Sequence, residues 1–254
     1  MKKHRLLMVT IVASSLMAGA FQIQAEDLSP GDKVIKVMDE SMTRAKDQYF
    51  QYDFITIEPG KAPRQMVFEV TIKGAKWRRV EFLAPGDVKG MRVLALSLDQ
   101  QYVYLPAFRK VRRVASHIRN QSFMGTAYSY DEMATVTYGD LLAGELVSEN
   151  DKEWVVVGAR RPGKDFSYPK IEFTILKSTT QPSLIKYYSD KGVVLKTEQR
   201  VDYECQENLC NAKVMMITDH TRNNLVTKMI RKDWKRNTGI SDDFFTVRDL
   251  QRGN

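Results

Sequence analysis

The chain predicts a mainly β member of the α+β class: a single antiparallel sheet of about 10–12 strands, curled into an incomplete barrel, with helices plugging or covering its concave face. Three observations lead there. Runs rich in Val, Ile, Tyr, Phe and Thr recur at strand length along most of the sequence, and many alternate apolar with polar residues. Turn signals such as Lys73-Gly74, Pro85-Gly86-Asp87, Asp99-Gln100, Pro162-Gly163-Lys164 and Asp190-Lys191-Gly192 separate the runs, and connections this short suit antiparallel neighbours rather than crossovers. A sheet with that many twisted strands does not stay flat, so it curls or splits, and a curled sheet needs its hollow filled.

The N-terminus is an address. Met1 to Arg5 is basic, Leu6 to Ala20 is apolar and almost uncharged, and Ile23-Gln24-Ala25 places a small residue before Glu26-Asp27. That order predicts a cleaved secretory signal peptide over 1–25, because the apolar run is shorter than the roughly 20 residues a spanning helix needs. No cysteine lies near the cut for lipid attachment, and no twin-arginine pair is present, so the expected destination is the periplasm by the general route. Without a linker or repeat to divide it, 26–254 reads as one domain.

The first element expected after the cut is an amphipathic helix over about 30–48, with Val34, Val37, Met38, Met42 and Ala45 on one face. The period then drops to two. Strands are expected at 49–57, 66–73, 77–84, 91–98, 101–105, 110–116, 144–149, 152–160, 170–177, 184–189, 193–204, 213–220 and 226–234. Three pieces are candidates to fill the concavity: the first helix, the stretch Phe123 to Thr135, and a last helix capped by Ser241 with Phe244, Val247 and Leu250 on one face. Cys205 and Cys210 flank a turn between two strand runs. In an oxidising compartment they predict a cross-hairpin disulfide, two free thiols being the alternative; Cys-x-x-Cys spacing for redox work is absent.

Enzyme signatures are missing. The exported part holds His117 and His220 only, with no zinc motif, nucleophile elbow, phosphate loop or dinucleotide fingerprint. The reading is therefore a protein without catalysis, cofactor or metal. What is present is a stretch between Asp99 and Asp131 without an acid, carrying Arg109, Lys110, Arg112, Arg113 and Arg119 among Tyr102, Tyr104, Phe108, Phe123, Tyr128 and Tyr130. Export argues against nucleic acid, leaving a charged, guarded edge or a basic rim where anionic headgroups or an acidic partner dock. Overall charge adds little: 39 basic residues face 31 acidic ones, and Lys2, Lys3 and Arg5 leave with the signal.

Methionines and rings supply adaptable apolar surface. Met66, Phe68 and Val70 share one strand face, Leu94 and Leu96 another, Tyr102 and Tyr104 a third. With Phe82, Phe123, Met124, Tyr128 and Met133 they are the candidate lining of a cavity for acyl chains, core packing being the alternative for each; a buried methylene is worth about 0.8 kcal/mol.

Four phrases are more specific: Arg64-Gln65-Met66-Val67-Phe68-Glu69-Val70; Phe82-Leu83-Ala84-Pro85-Gly86-Asp87-Val88-Lys89-Gly90; Tyr102 to Val114, reading YVYLPAFRKVRRV; and Ser122-Phe123-Met124-Gly125-Thr126 followed by Tyr128 to Met133, YSYDEM. The chain resembles the outer membrane lipoprotein-sorting family, relatives of the carriers LolA and LolB. The resemblance implies an open antiparallel barrel closed by helices, a monomeric periplasmic shuttle for lipid or lipoprotein acyl chains, and association with lipid exporters of the resistance-nodulation-division (RND) type. It also implies a lid, with Phe123-Met124-Gly125 resembling its hinge, a buried loop anchor being the alternative; the family's carrier LolA latches its lid to a barrel arginine. Two other readings share this scaffold: a sensor module that recognises envelope proteins, and an enzyme with a deep pocket.

Overall fold

The computed structural model describes residues 28–252; the predicted signal peptide lies outside them. Helix α1, Pro30–Thr43, starts where Ser29 accepts from the Asp32 amide at 3.0 Å and Pro30 takes the first position. It ends earlier than the apolar period suggests. The reason is Asp47, whose carboxylate accepts backbone N–H groups of Thr238, Gly239 and Ile240 and so fixes the start of a strand at that point. Ile35 and Met38 are fully buried.

Thirteen strands follow. The first half is a meander: β1 Asp47–Ile57, β2 Arg64–Lys73, β3 Trp77–Ala84, β4 Arg92–Ala95, β5 Gln101–Leu105 and β6 Lys110–Arg113. The second is another: β7 Leu142–Glu149, β8 Glu153–Arg160, β9 Lys170–Leu176, β10 Gln181–Tyr188, β11 Val194–Gln206, β12 Leu209–Asp219 and β13 Leu225–Arg236. They form one antiparallel sheet, ordered β6-β5-β4-β3-β2-β1-β13-β12-β11-β10-β9-β8-β7, in which β1 and β13 join the halves and the edges β6 and β7 leave the barrel open. Cys205 and Cys210 face each other across the β11–β12 hairpin and are disulfide-bonded.

Curvature is visible in one side chain. Arg119 reaches Asp99 Oδ1 at 2.6 Å, in the β4–β5 turn, and Asp165 Oδ2 at 2.5 Å, in the β8–β9 loop. In a flat sheet β5 and β9 would stand about 43 Å apart at the usual strand spacing. The sheet therefore wraps round, and residues 114–141 pass across its mouth from edge to edge. α1 packs inside against β7, β8, β10 and β12. It sits close enough to β7 that a Cβ on Gly31 would lie 2.4 Å from the Gly144 carbonyl carbon, so both positions require glycine.

The C-terminal piece departs from expectation. It is a 3-10 turn, Asp242–Phe245, broken at Thr246 from a short helix α3, Val247–Arg252, and it lies on the outer face rather than in the hollow. Strands β3 to β5 explain this. They carry Val80, Phe82 and Val93 inward but Trp77, Leu94, Leu96, Tyr102 and Tyr104 outward. An apolar outer patch needs its own cover, because the inner face is already taken by α1 and the 114–141 segment.

Candidate functional site

Strand alternation builds the hollow. From β1 come Phe50, Tyr52 and Phe54; from β2, Met66, Phe68, Val70 and Ile72; from β3, Arg78, Val80 and Phe82. At one end rings fill the space: Phe54 meets Phe68 edge-on at 4.9 Å, and Phe68, Phe82 and Phe123 follow at 5.7 and 5.8 Å. At the other end a cavity of about 120 Å³ remains, bounded by Phe50, Tyr52, Val70, Ile72 and Arg78 on one side and Tyr187, Glu198, Arg200, Asn211, Met215 and Met229 on the other. Met42 of α1 closes the floor, and Tyr128, Glu132, Met133 and Tyr138 form the roof.

The roof is the 114–141 segment. Its helix α2, Tyr130–Ala134, begins with a capping box in which Ser129 accepts from the Glu132 amide and Glu132 accepts from the Ser129 amide at 2.6 Å. Met124 and Gly125 both have left-handed backbones, φ 52° and 75°, which turns the chain sharply. Arginines hold carbonyls of the roof: at the turn Arg64 donates to Met124 O and Arg222 to Thr126 O at 2.7 Å, and in α2 Met133 O accepts from Arg78 of β3 at 2.6 Å. Asp131 joins the two rims by accepting from Gln101 at 3.3 Å and Ser167 at 2.5 Å. Only one isolated bridge, Ser122 to Ser129, gives the described part of the roof any strand pairing.

The cavity is less greasy than the sequence suggests. β11 sends Lys196, Glu198 and Arg200 inward on alternate residues. Lys196 pairs with Glu132 at 2.9 Å, and Arg200 with Glu198 at 2.6 Å; Tyr187 donates to Glu198 and Tyr168 to Glu132. Burial pushes the Tyr52 and Tyr138 hydroxyls up to about 12, and Tyr128 and Tyr187 well above their ordinary value, so all four stay neutral donors. Burial opposes charge on Arg200, yet Glu198 and the surrounding tyrosines hold its guanidinium above the ordinary value. For Arg78 burial dominates and pushes the value down.

The sequence-derived candidates divide into three groups. Val70, Tyr128 and Met133 line the cavity. Met66, Phe68, Phe82 and Phe123 are inward but packed in the ring stack, and Met124 packs against that core. Leu94, Leu96, Tyr102 and Tyr104 face outward, beneath the C-terminal turn and helix. Of the basic set, Arg109, Lys110, Arg112 and Arg113 are exposed on the β5–β6 hairpin beside Phe108, itself 69% exposed. Arg119 is 3% exposed, locked in its clamp. Sequence reasoning missed Arg78, Glu132, Lys196, Glu198, Arg200 and Asn211. A signal existed for one of them: Arg78 shares a strand face with Val80 and Phe82, an arginine on an apolar stripe.

An open antiparallel half-barrel with a roofed hollow is a recognisable class of fold, and comparison places the chain within it. The chain belongs to a protein family whose model, described as "Uncharacterized protein", matches residues 74–252. Among solved structures it is similar to a DUF1329 family protein from Desulfovibrio piger, with TM-score 0.80 and 20% identity over 87% of this chain and 99% of that one. It is also similar to a domain assigned to outer membrane lipoprotein sorting from Vibrio parahaemolyticus, TM-score 0.77 and 21% identity over 87% and 98%. A LolA superfamily protein from Nitrosomonas europaea follows with TM-score 0.73 and 17% identity over 86% and 98%. No curated protein matches the chain. These likenesses establish the LolA-like fold. Among the described residues no helix is long and apolar enough to cross a membrane.

Proposed function

We propose that this chain is a periplasmic carrier that holds acyl chains of a lipid or lipoprotein in its hollow and releases them to the outer membrane or to and from an RND-type exporter, without chemistry of its own. One observation carries the reading: a roughly 120 Å³ cavity persists beside a tightly packed ring stack, under a roof fastened by side-chain bonds, arginine–carbonyl contacts and the Lys196–Glu132 ion pair among them, rather than by sheet pairing. Such a roof can lift without breaking a ladder. Val70, Tyr128 and Met133 contact the guest at the wall and roof; Met66, Phe68, Phe82, Phe123 and Met124 are reached when the roof opens. The exposed hairpin bearing Phe108, Arg109, Lys110, Arg112 and Arg113 meets anionic headgroups or an acidic partner, aromatic tip first. The carrier works as a monomer.

The test is gentle purification followed by mass spectrometry of extracted lipid, together with uptake of a fluorescent fatty acid. The wild type yields bound lipid and takes up the probe, and Val70→Trp, which fills the cavity, reduces uptake at least about tenfold while the protein stays folded. A wild type that carries no lipid and takes up no probe overturns the reading.

A further inference from the structure

Among the described residues five arginines own a buried side-chain nitrogen with no hydrogen-bond partner: Arg78, Arg79, Arg92, Arg119 and Arg231. Four of them are nevertheless neutralised by carboxylates. Arg79 meets Asp249 and Glu81, Arg92 meets Glu81, Arg119 meets Asp99 and Asp165, and Arg231 meets Glu204. Arg78 is the exception. Its single hydrogen bond goes from Nη1 to the neutral Met133 carbonyl, and no carboxylate among the described residues pairs with it. The two carboxylates of the cavity are already engaged by Lys196 and Arg200. The wall therefore holds one cation more than its anions neutralise.

A second orphan faces the same space. The Tyr128 hydroxyl is buried without a partner, its residue 5% exposed, and it lines the cavity opposite the strands. Burial keeps it protonated, so it offers a donor. Arg78 presents its Nε–Nη2 edge, the edge that grips two oxygens of a carboxylate or phosphate at once. Apolar surface lies next to both, from Phe50, Val70, Met215 and Met229.

We propose that Arg78 and the Tyr128 hydroxyl bind the anionic head, a carboxylate or phosphate, of an acylated amphiphile whose chain lies along the apolar wall of the same cavity. This deepens the carrier reading and rests on it. The head enters inward, which places the guest's charge where the cavity has an unmatched cation. Because Arg78 also holds the roof helix through Met133 O, an anion that draws the guanidinium away loosens the roof, so the guest's head and the roof compete for one side chain.

The experiment measures affinity of the full exported chain for two matched pairs: palmitate against hexadecanol, and lysophosphatidate against monopalmitoylglycerol, with inorganic phosphate as a competitor. Each is measured on the wild type, Arg78→Gln and Tyr128→Phe. The wild type prefers the anionic member of each pair by at least about tenfold. Arg78→Gln brings that ratio close to one, whatever it does to the absolute affinities through the roof, and Tyr128→Phe lowers anionic affinity about threefold with the fold intact, since the hydroxyl has no protein partner to lose. Equal affinity of the wild type for charged and neutral members overturns the head site and leaves the carrier reading standing. Failure to bind any of the four overturns both. Displacement of the amphiphiles by millimolar phosphate assigns the site to a free anion and overturns the acylated ligand.

Discussion

Arg78 and Arg79 are neighbours on β3 and point to opposite faces of one sheet. Arg79 goes out, 1% exposed, ion-paired to Asp249, bonded to Phe244 O at 2.9 Å and lying 4.0 Å over the Phe244 ring. Arg78 goes in, to a single carbonyl and an unmatched charge. Both arginines fasten a covering segment to the sheet. The outer fastening is complete within the protein, whereas the inner one leaves valence for something else. Two covers are fastened by the same residue type, and the difference lies in whether a carboxylate of the cover meets the arginine: Asp249 meets Arg79, whereas the roof's Glu132 is taken by Lys196 and leaves Arg78 without one.

The largest expected effect tests whether the inner face is packed where its rings meet. Phe68→Ala removes a side chain with no exposure from the centre of the stack and is expected to cost about 3–5 kcal/mol in denaturant unfolding. Val70→Ala, at the cavity wall, costs clearly less because space already exists there. Similar losses at both sites would mean that the hollow is uniformly packed.

Next comes the tie between α1 and the far end of the roof. Asp39 accepts from the amides of Tyr138 and Gly139 at 2.9 and 2.7 Å. Burial nevertheless raises its carboxyl from 3.8 to about 6, the two amides pulling the other way. The folded form thus binds the proton more tightly than the unfolded chain. The favourable contribution is full below about pH 3.8, is lost as pH rises through 6, and is on the order of 3 kcal/mol. Unfolding midpoints of wild type and Asp39→Asn, followed between pH 4 and 7, should converge or cross in that sense; a constant gap would show that burial does not govern this group. Asp47 is the opposite case. Burial alone would raise it, but donors from Thr238, Gly239 and Ile240 hold it below the usual value, so its contribution is lost as pH falls.

The arginines themselves give the smallest and most telling differences. Arg79→Met forfeits the ion pair, the carbonyl bond and the ring contact of the outer cover, about 1–3 kcal/mol. Arg78→Met replaces an unmatched buried charge by an apolar side chain of similar length and is expected within about 1 kcal/mol of wild type, in either direction. Equal losses for the two would erase the distinction drawn between the covers.

Much of the architecture was legible because it rests on period and punctuation. Alternation at Met66, Phe68 and Val70 fixed one inward face, and the turns at Gly74, Gly163 and Gly192, all with positive φ, stand where the strands break. The resemblance of the Tyr102–Val114 and Ser122–Met133 phrases to a known family holds at the level of fold. The site was legible only in part. β4 and β5 are apolar on both faces, so Leu94, Leu96, Tyr102 and Tyr104 gave no hint that they point away from the hollow. β11 is the mirror problem. Lys196, Glu198 and Arg200 alternate along the strand as a charged face, yet they point in, and what makes that tolerable is one ion pair to the roof, Lys196 with Glu132, and one along the strand itself, Arg200 with Glu198. The last helix was displaced by the same two-faced strands, whose outer patch it covers.

The seam between β1 and β13 also dictates how the molecule must come together. Every other ladder links strands adjacent in sequence, so each meander can form as soon as its own segment is available. That one pairing joins Gln48 to Arg236, across almost the whole chain, and has to wait for the last strand to arrive. Until then β1 and β12 each expose an unpaired flank. A chain cut short before Leu225 would keep both flanks bare, leaving two half-sheets primed to pair with whatever strand they meet first.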